Sequence, residues 1–252
     1  MSETQSVWDF TSDEFAWVWD ETGIESYPYP ISILETPTDG DERALLRSEI
    51  ATRFPRYGDP HLSAALRVLA KPDLLVTCTG QIAGTTHRVR SVGAAIGEHA
   101  VILFQKFGTA PEFGGNLRLV ATARQHLGTH IAATMPKAAA GAVLEMVGYT
   151  PRIRGEEPPT TWMVSNNGPR PAEDRIRALL RAPRSADGHL CIERHPHSER
   201  PYPREYLYWL DILPGTKAEG RYLIDVAHHT TVTPASAQDV AHALTRHIQV
   251  QD

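Results

Sequence analysis

Residues 60–80, PHLSAALRVLAKPDLLVTCTG, decide the fold class. Asp59 stands before them as an N-cap, and Pro60 occupies the first helical position, where its missing N–H costs nothing. Leu62, Ala65, Leu66 and Leu69 then recur at i, i+3, i+4 and i+7, the stripe of a helix buried on one side. Lys71-Pro72 stops that helix, and the period changes at once. Leu74–Thr79 reads as a strand, followed by strands over Thr86–Ala94, Ala100–Phe107 and Leu117–Thr122. The turns between the early strands are short and carry glycine, as at Ala83-Gly84 and Gly97-Glu98. Connections this short join antiparallel neighbours, so the class is α+β with an antiparallel sheet.

Upstream, Thr11-Ser12-Asp13-Glu14 has capping-box spacing and opens a helix with Phe15, Val18 and Trp19 on one face, ended by Gly23. Prolines keep Tyr27–Pro30 extended. A second helix is expected over Asp41–Phe54, with Leu46, Ile50 and Phe54 inward. Downstream, the spacing predicts a helix opening at Thr134-Met135-Pro136 and running through Val143, Leu144 and Val147 to Gly148. Residues 151–170 are rich in Pro, Gly, Glu and Asn, with Trp162–Val164 as a short strand inside them. A helix from Pro171 with Ile176, Leu179 and Leu180 inward follows. Strands over His189–Glu193, Glu205–Ile212 and Gly220–Val226 come next. A last helix is expected with Thr233 as cap, Pro234 at its first position, and Ala237, Val240, Leu244 and Ile248 inward. The order of helix, antiparallel strands and closing helix thus occurs twice. It predicts two pseudo-equivalent lobes, residues 1–150 and 171–252, joined by the Pro/Gly-rich segment 151–170.

Composition narrows the function. The chain of 252 residues has a formal net charge of −5, so no basic field draws nucleic acid or anionic lipid. No apolar run approaches the ~20 residues that span a bilayer, and MSETQSVWDF has neither a basic nor an apolar leader region, so a cytosolic protein is expected. The two cysteines, Cys78 and Cys191, fall in separate strands and read as reduced thiols. Chemistry-bearing motifs are absent: no phosphate-binding Gly-rich loop, no H-E-x-x-H, no C-x-x-C and no G-x-S-x-G. Glu193, His195 and His197 could offer three metal donors, but HPHSERPYP reads as a solvated hairpin tip. His228 and His229 are adjacent in an extended segment and point apart. Glu112, Glu156, Glu157, Asp211 and Asp225 form no assignable acid–base pair, though Asp225 is placed to pair with Arg221. Among Trp8, Trp17 and Trp19, Trp19 shares the apolar face of Phe15, which leaves Trp17 as the surface candidate. No metal, no cofactor and no catalysis are expected. The rival reading is an enzyme or small-molecule binder with a dispersed polar pocket on a helix-covered sheet.

The order of these features resembles the EspG family of type VII secretion chaperones. The resemblance lies in VWDFTSDEFAWVWDETGI (7–24), ERALLRSEIATRF (42–54), PHLSAALRVLAKPDLLV (60–76) and GRYLIDVAHHTTVTPASAQDVAHAL (220–244). It implies one EspG-like domain over residues 1–252, its pseudo-equivalent lobes sharing a central antiparallel sheet flanked by helical bundles. It implies a cytosolic, actinobacterial chaperone that binds the hydrophobic tip of a helical PE/PPE-type heterodimer and hands it to an ESX machinery. The family's interface implies the central sheet, the loop after the first long strand and the C-terminal helical bundle. Here that loop is Gly80–His87, GQIAGTTH, with Ile82 at its apex and Gln81, Ile82, Thr85, Thr86 and His87 as the partner-binding residues.

Overall fold

The computed structural model describes residues 6–36, 39–108, 110, 112–158, 170–200 and 202–249. Ten strands form one antiparallel sheet: β1 Val7–Phe10, β2 Leu74–Ile82, β3 Arg88–Ile96, β4 His99–Gln105, β5 Leu117–Ala123, β6 Met146–Tyr149, β7 Arg184–Arg194, β8 Glu205–Ile212, β9 Gly220–Val226 and β10 His229–Pro234. Among the described residues seven α-helices accompany them: α1 Ser12–Trp19, α2 Gly40–Arg53, α3 Pro60–Ala70, α4 Leu127–Thr134, α5 Thr150–Arg154, α6 Ala172–Leu180 and α7 Ala237–Gln249. The strand order is β1-β5-β4-β3-β2-β7-β8-β9-β10-β6. Two meanders, β2 to β5 and β7 to β10, therefore meet at the β2–β7 pair, and each is closed at its outer edge by the strand that precedes its helices.

One face of the sheet carries α4 and α7, which pack on Leu74, Val76, Cys78, Leu190, Ile192 and their row-mates. The other face is roofed twice. Near β3–β5, α1 and α3 bury Phe15, Leu62, Leu66 and Leu69 against Val92, Val101, Leu103 and Leu119. Near β8–β10, α5 and α6 bring Ile153, Ile176 and Leu179 onto Leu210, Ile224 and Val232.

The caps explain the early helices. Thr11 and Glu14 form the reciprocal capping box, and Asp59 accepts from the N–H groups of His61 and Leu62. Helix α2 buries only Ile50, while Leu46 and Phe54 are half-buried.

Two helix starts differ from the sequence reading, both for one reason. Thr134 ends α4 rather than capping a new helix, donating back to the Ile131 carbonyl at 2.7 Å. The chain beyond it runs extended along the start of β9, with Gly141 N–H donating to the Arg221 carbonyl at 2.8 Å and Arg221 N–H to that of Ala139 at 2.8 Å. Gly141 lies flat on the Tyr222 ring, where an added Cβ would come within 2.1 Å of the ring. Leu144, expected inward, is exposed, and Val147 and Gly148 belong to β6. At the second site Thr233 and Pro234 close β10 opposite Leu223 and Tyr222. The true cap of α7 is Ser236, which accepts from Asp239 N–H at 3.2 Å while Asp239 accepts from Ser236 N–H at 2.8 Å. Pro234 ends β10 and Pro136 lies in the extended run after α4, so neither proline opens a helix. The segment 151–170 opens inside α5, and Trp162–Val164 lie outside the described residues.

Arg221 pairs with Asp211, its neighbour across β8–β9, and not with Asp225, which is exposed. The contact is bidentate at 2.7 and 2.6 Å, and both side chains are almost wholly buried. Arg221 also donates to the Pro136 carbonyl at 2.6 Å, tying the extended segment to the sheet. Removing one partner strands the other charge, whereas removing both does not. Arg221→Met is expected to cost about 3–5 kcal/mol in urea unfolding, and Arg221→Met with Asp211→Leu to recover most of it. An equal loss in the double variant would show that the pair contributes through packing alone.

Candidate functional site

The two roofs on the second face do not meet. Between them the middle of the sheet lies bare across β3, β2, β7 and β8, and strand alternation fixes what it displays. The register gives three rows: Val92–Thr77–Cys191–Tyr206, Arg90–Thr79–His189–Tyr208 and Arg88–Gln81–Asp187–Leu210. Val92 and Leu210 slip under the roofs, Thr77 and Cys191 are buried as well, and the remaining side chains of the lower two rows, with Tyr206, form the strip.

Its walls differ in chemistry. On the β8 side Tyr206 and Tyr208 are both exposed, their rings stacked 6.4 Å apart at 19°. His189 lies 5.9 and 6.2 Å from them, and the Thr79 hydroxyl is 3.2 Å from its ring. Burial holds the His189 imidazole below its ordinary value, so the floor is uncharged there at neutral pH. On the β3 side stand Arg88 and Arg90. Arg88 donates to Gln81 Oε1 at 3.4 Å, and Arg90 to the Glu112 carbonyl at 3.1 Å. A cleft of about 590 Å³ runs from this wall to Tyr29 and Pro30, and a second of about 360 Å³ from Tyr208 to Ile153 and Leu180. Asp187 and Gly188 line both, so the two clefts adjoin at β7.

The cysteines flank this floor without chemistry to offer. They lie on paired strands, but Cys78 faces Leu190 and Cys191 faces Thr77, so their side chains point to opposite faces. Both are free and buried; burial pushes the Cys78 thiol up to about 12 and raises that of Cys191 too.

The residues expected in the Gly80–His87 loop are distributed differently. Strand β2 continues through Gly80 and Gln81 to Ile82, so the turn is only Ala83–His87. Gln81 lines the groove beside Arg88. Ile82 is not an apex: it is half-buried on the opposite face, packed against the α4–α7 core. Thr85 braces the turn, donating to the Ile82 carbonyl at 2.9 Å and accepting from His87 N–H at 3.1 Å. Thr86 is exposed, and His87 stacks on Phe107 at 4.4 Å with the rings parallel to 1°. The structure thus brings Gln81 to the strip and leaves the other four at the end of the sheet.

Sequence reasoning missed Thr79, Arg88, His189, Tyr206 and Tyr208. The signal for the tyrosines was in EYLYWL, 205–210, where Tyr206 and Tyr208 alternate with the buried Leu207 and Trp209. Trp17, the expected surface tryptophan, is engaged internally: its indole N–H donates to the Phe54 carbonyl at 2.9 Å and Arg56 lies 4.5 Å over the ring. Glu193 is taken by Arg204 at 2.8 Å, and His195 contacts Tyr202. His228 and His229 meet edge to face at 4.9 Å beside Tyr149. Among the described residues no three His, Cys, Asp or Glu side chains are arranged to hold a metal ion, and no helix is long and apolar enough to cross a membrane.

These features define the class: an α+β protein on one ten-stranded antiparallel sheet, roofed by helices and open at its centre. The model of the EspG family matches residues 11–246, and the chain belongs to that family, one of ESX secretion-associated chaperones. No curated protein matches it.

The position of Ile82 sets an expectation. Ile82→Asp places a charge against the α4–α7 core and should lower stability by about 1–3 kcal/mol, while Gln81→Ala stays within about 0.5 kcal/mol of wild type. Equal melting temperatures for the two variants would contradict the assignment of faces.

Proposed function

We propose that the chain is a cytosolic chaperone that receives the helical tip of a PE/PPE-type heterodimer in the bare central strip and delivers it to an ESX system. The observation that carries the reading is the strip itself, with two exposed tyrosines and two clefts between helical roofs. Its outer strands stand three spacings apart, about 14 Å, and a helix with side chains is about 10–12 Å across. Tyrosine favours such surfaces because it offers a large rigid contact with a polar end. The Ala83–His87 turn, fixed by Thr85 and by the His87–Phe107 stack, stands at the end of the strip as a second contact with the cargo, with Thr86 and His87 in reach.

We also read the chain as two equivalent lobes. Each meander comes with its own edge strand, roofing helices and closing helix, and the β2–β7 pair lies midway. That succession divides the chain between Thr134 and Met146, earlier than the Pro/Gly-rich segment suggested.

Titration calorimetry with a PE/PPE-type heterodimer from the same host tests the docking. Tyr206→Ser with Tyr208→Ser should weaken binding at least tenfold, the equivalent of about 1.4 kcal/mol, with the melting temperature nearly unchanged. Wild-type affinity in this variant would remove the strip from the interface.

A further inference from the structure

The middle row of the strip carries one group whose charge can change near neutral pH. His189 stands on the floor, half-buried, with Thr79 on one side and the Tyr206 and Tyr208 rings on the other. The Thr79 hydroxyl is 3.2 Å from both ring nitrogens, so it donates to whichever carries no hydrogen. That contact serves the neutral ring. An imidazolium carries two N–H groups and finds a single hydroxyl oxygen between them.

The neighbours offer a charged ring little else. The tyrosine rings are tilted at 54° and 52°, with centroids 5.9 and 6.2 Å away, at the outer limit of a cation–π contact. On β7 itself, Asp187 faces the same way but is paired with Arg184 at 3.8 Å, and Cys191 is a buried thiol. From β3, Arg88 and Arg90 face the same way, and both are cations. Tyr29, on the rim of the cleft that His189 lines, is a phenol. Among the described residues no carboxylate forms an ion pair with His189. Burial therefore decides the charge of the ring, and it favours the neutral form. In the free chain the strip is open above His189, and an occupant seated on the two tyrosines removes the water that remains there.

We propose that His189 makes docking in the strip proton-sensitive: the occupant seats over the neutral imidazole and is released when the ring takes a proton. This rests on the strip being the docking surface. Linkage fixes the sign. Docking strips water from a ring that has no counter-charge, so the docked state holds the proton more weakly than the free state. Affinity is then full above the midpoint of the free ring, which lies below the ordinary histidine value, and falls as pH drops through it.

The test is titration calorimetry with the purified PE/PPE-type heterodimer of the same host, at pH ~7.5 and ~5.0, in two buffers of different ionisation enthalpy. Wild type should lose at least about threefold in affinity at the lower pH and release protons on binding there. His189→Gln should bind within about threefold of wild type at the higher pH and lose most of the slope, which separates this ring from any titration on the cargo. The imidazole proton resonances give the same quantity directly: the midpoint of His189 should be lower in the saturated complex than in the free chain. An equal slope in His189→Gln, an affinity that rises at the lower pH, or a midpoint unchanged or raised in the complex overturns the proton linkage. In that case weakened binding by Tyr206→Ser with Tyr208→Ser at the higher pH still supports the strip. Wild-type affinity in the tyrosine variant overturns the strip and this inference together.

Discussion

The architecture depends on how closely β2 and β7 pair at the middle of the sheet. Gly80 and Gly188 face each other across that pair, and the Trp209 ring lies over both. An added Cβ at Gly188 would come within 2.0 Å of the Thr79 carbonyl, and one at Gly80 within 2.4 Å of the Trp209 ring. No other residue type lets the indole lie flat there, so the glycines are what allow two meanders to merge into one continuous sheet. Because the sheet is continuous, its central rows have no gap in which a helix could be seated from within. The covers on the second face come from the outer parts of each meander, and the middle stays bare.

The face opposite the strip behaves as a rigid base. Helices α4 and α7 pack on the central strands and on each other, where Gly128 meets the Ala241 carbonyl and Leu244. The buried Arg221–Asp211 pair joins β8, β9 and the extended segment through the Pro136 carbonyl. The strip's side chains therefore stand on strands that are paired on both sides and backed by packed helices, so under the docking we propose a helix would meet a preformed surface.

Much of the fold was legible because it rests on local chemistry. The Thr11–Glu14 box, the Asp59-Pro60 start and the strands from Leu74 onward follow from caps and period. The misread helix over 134–148 and the misplaced start of the last helix followed Thr and Pro signals that tertiary contacts override: the Tyr222 ring claims the space at Gly141, and β9 claims Thr233-Pro234 as a strand partner. The Ser236–Asp239 box, three residues beyond Thr233, was equally readable. The candidate site was mostly illegible. A bare strip is a gap between two roofs, and no single stretch of sequence encodes a gap. The placement of Ile82 at an apex overlooked alternation: one more residue of β2 turns that position into a core contact.

Oxidative footprinting of tyrosines, with and without the bound PE/PPE-type heterodimer, tests the docking claim most directly. Tyr206 and Tyr208 are 40% and 43% exposed in the free chain, and Tyr57, remote from the strip, is 62% exposed. The account predicts strong protection of Tyr206 and Tyr208 on binding, with Tyr57 oxidised as before. Unchanged oxidation of Tyr206 and Tyr208 in a saturated complex would contradict it.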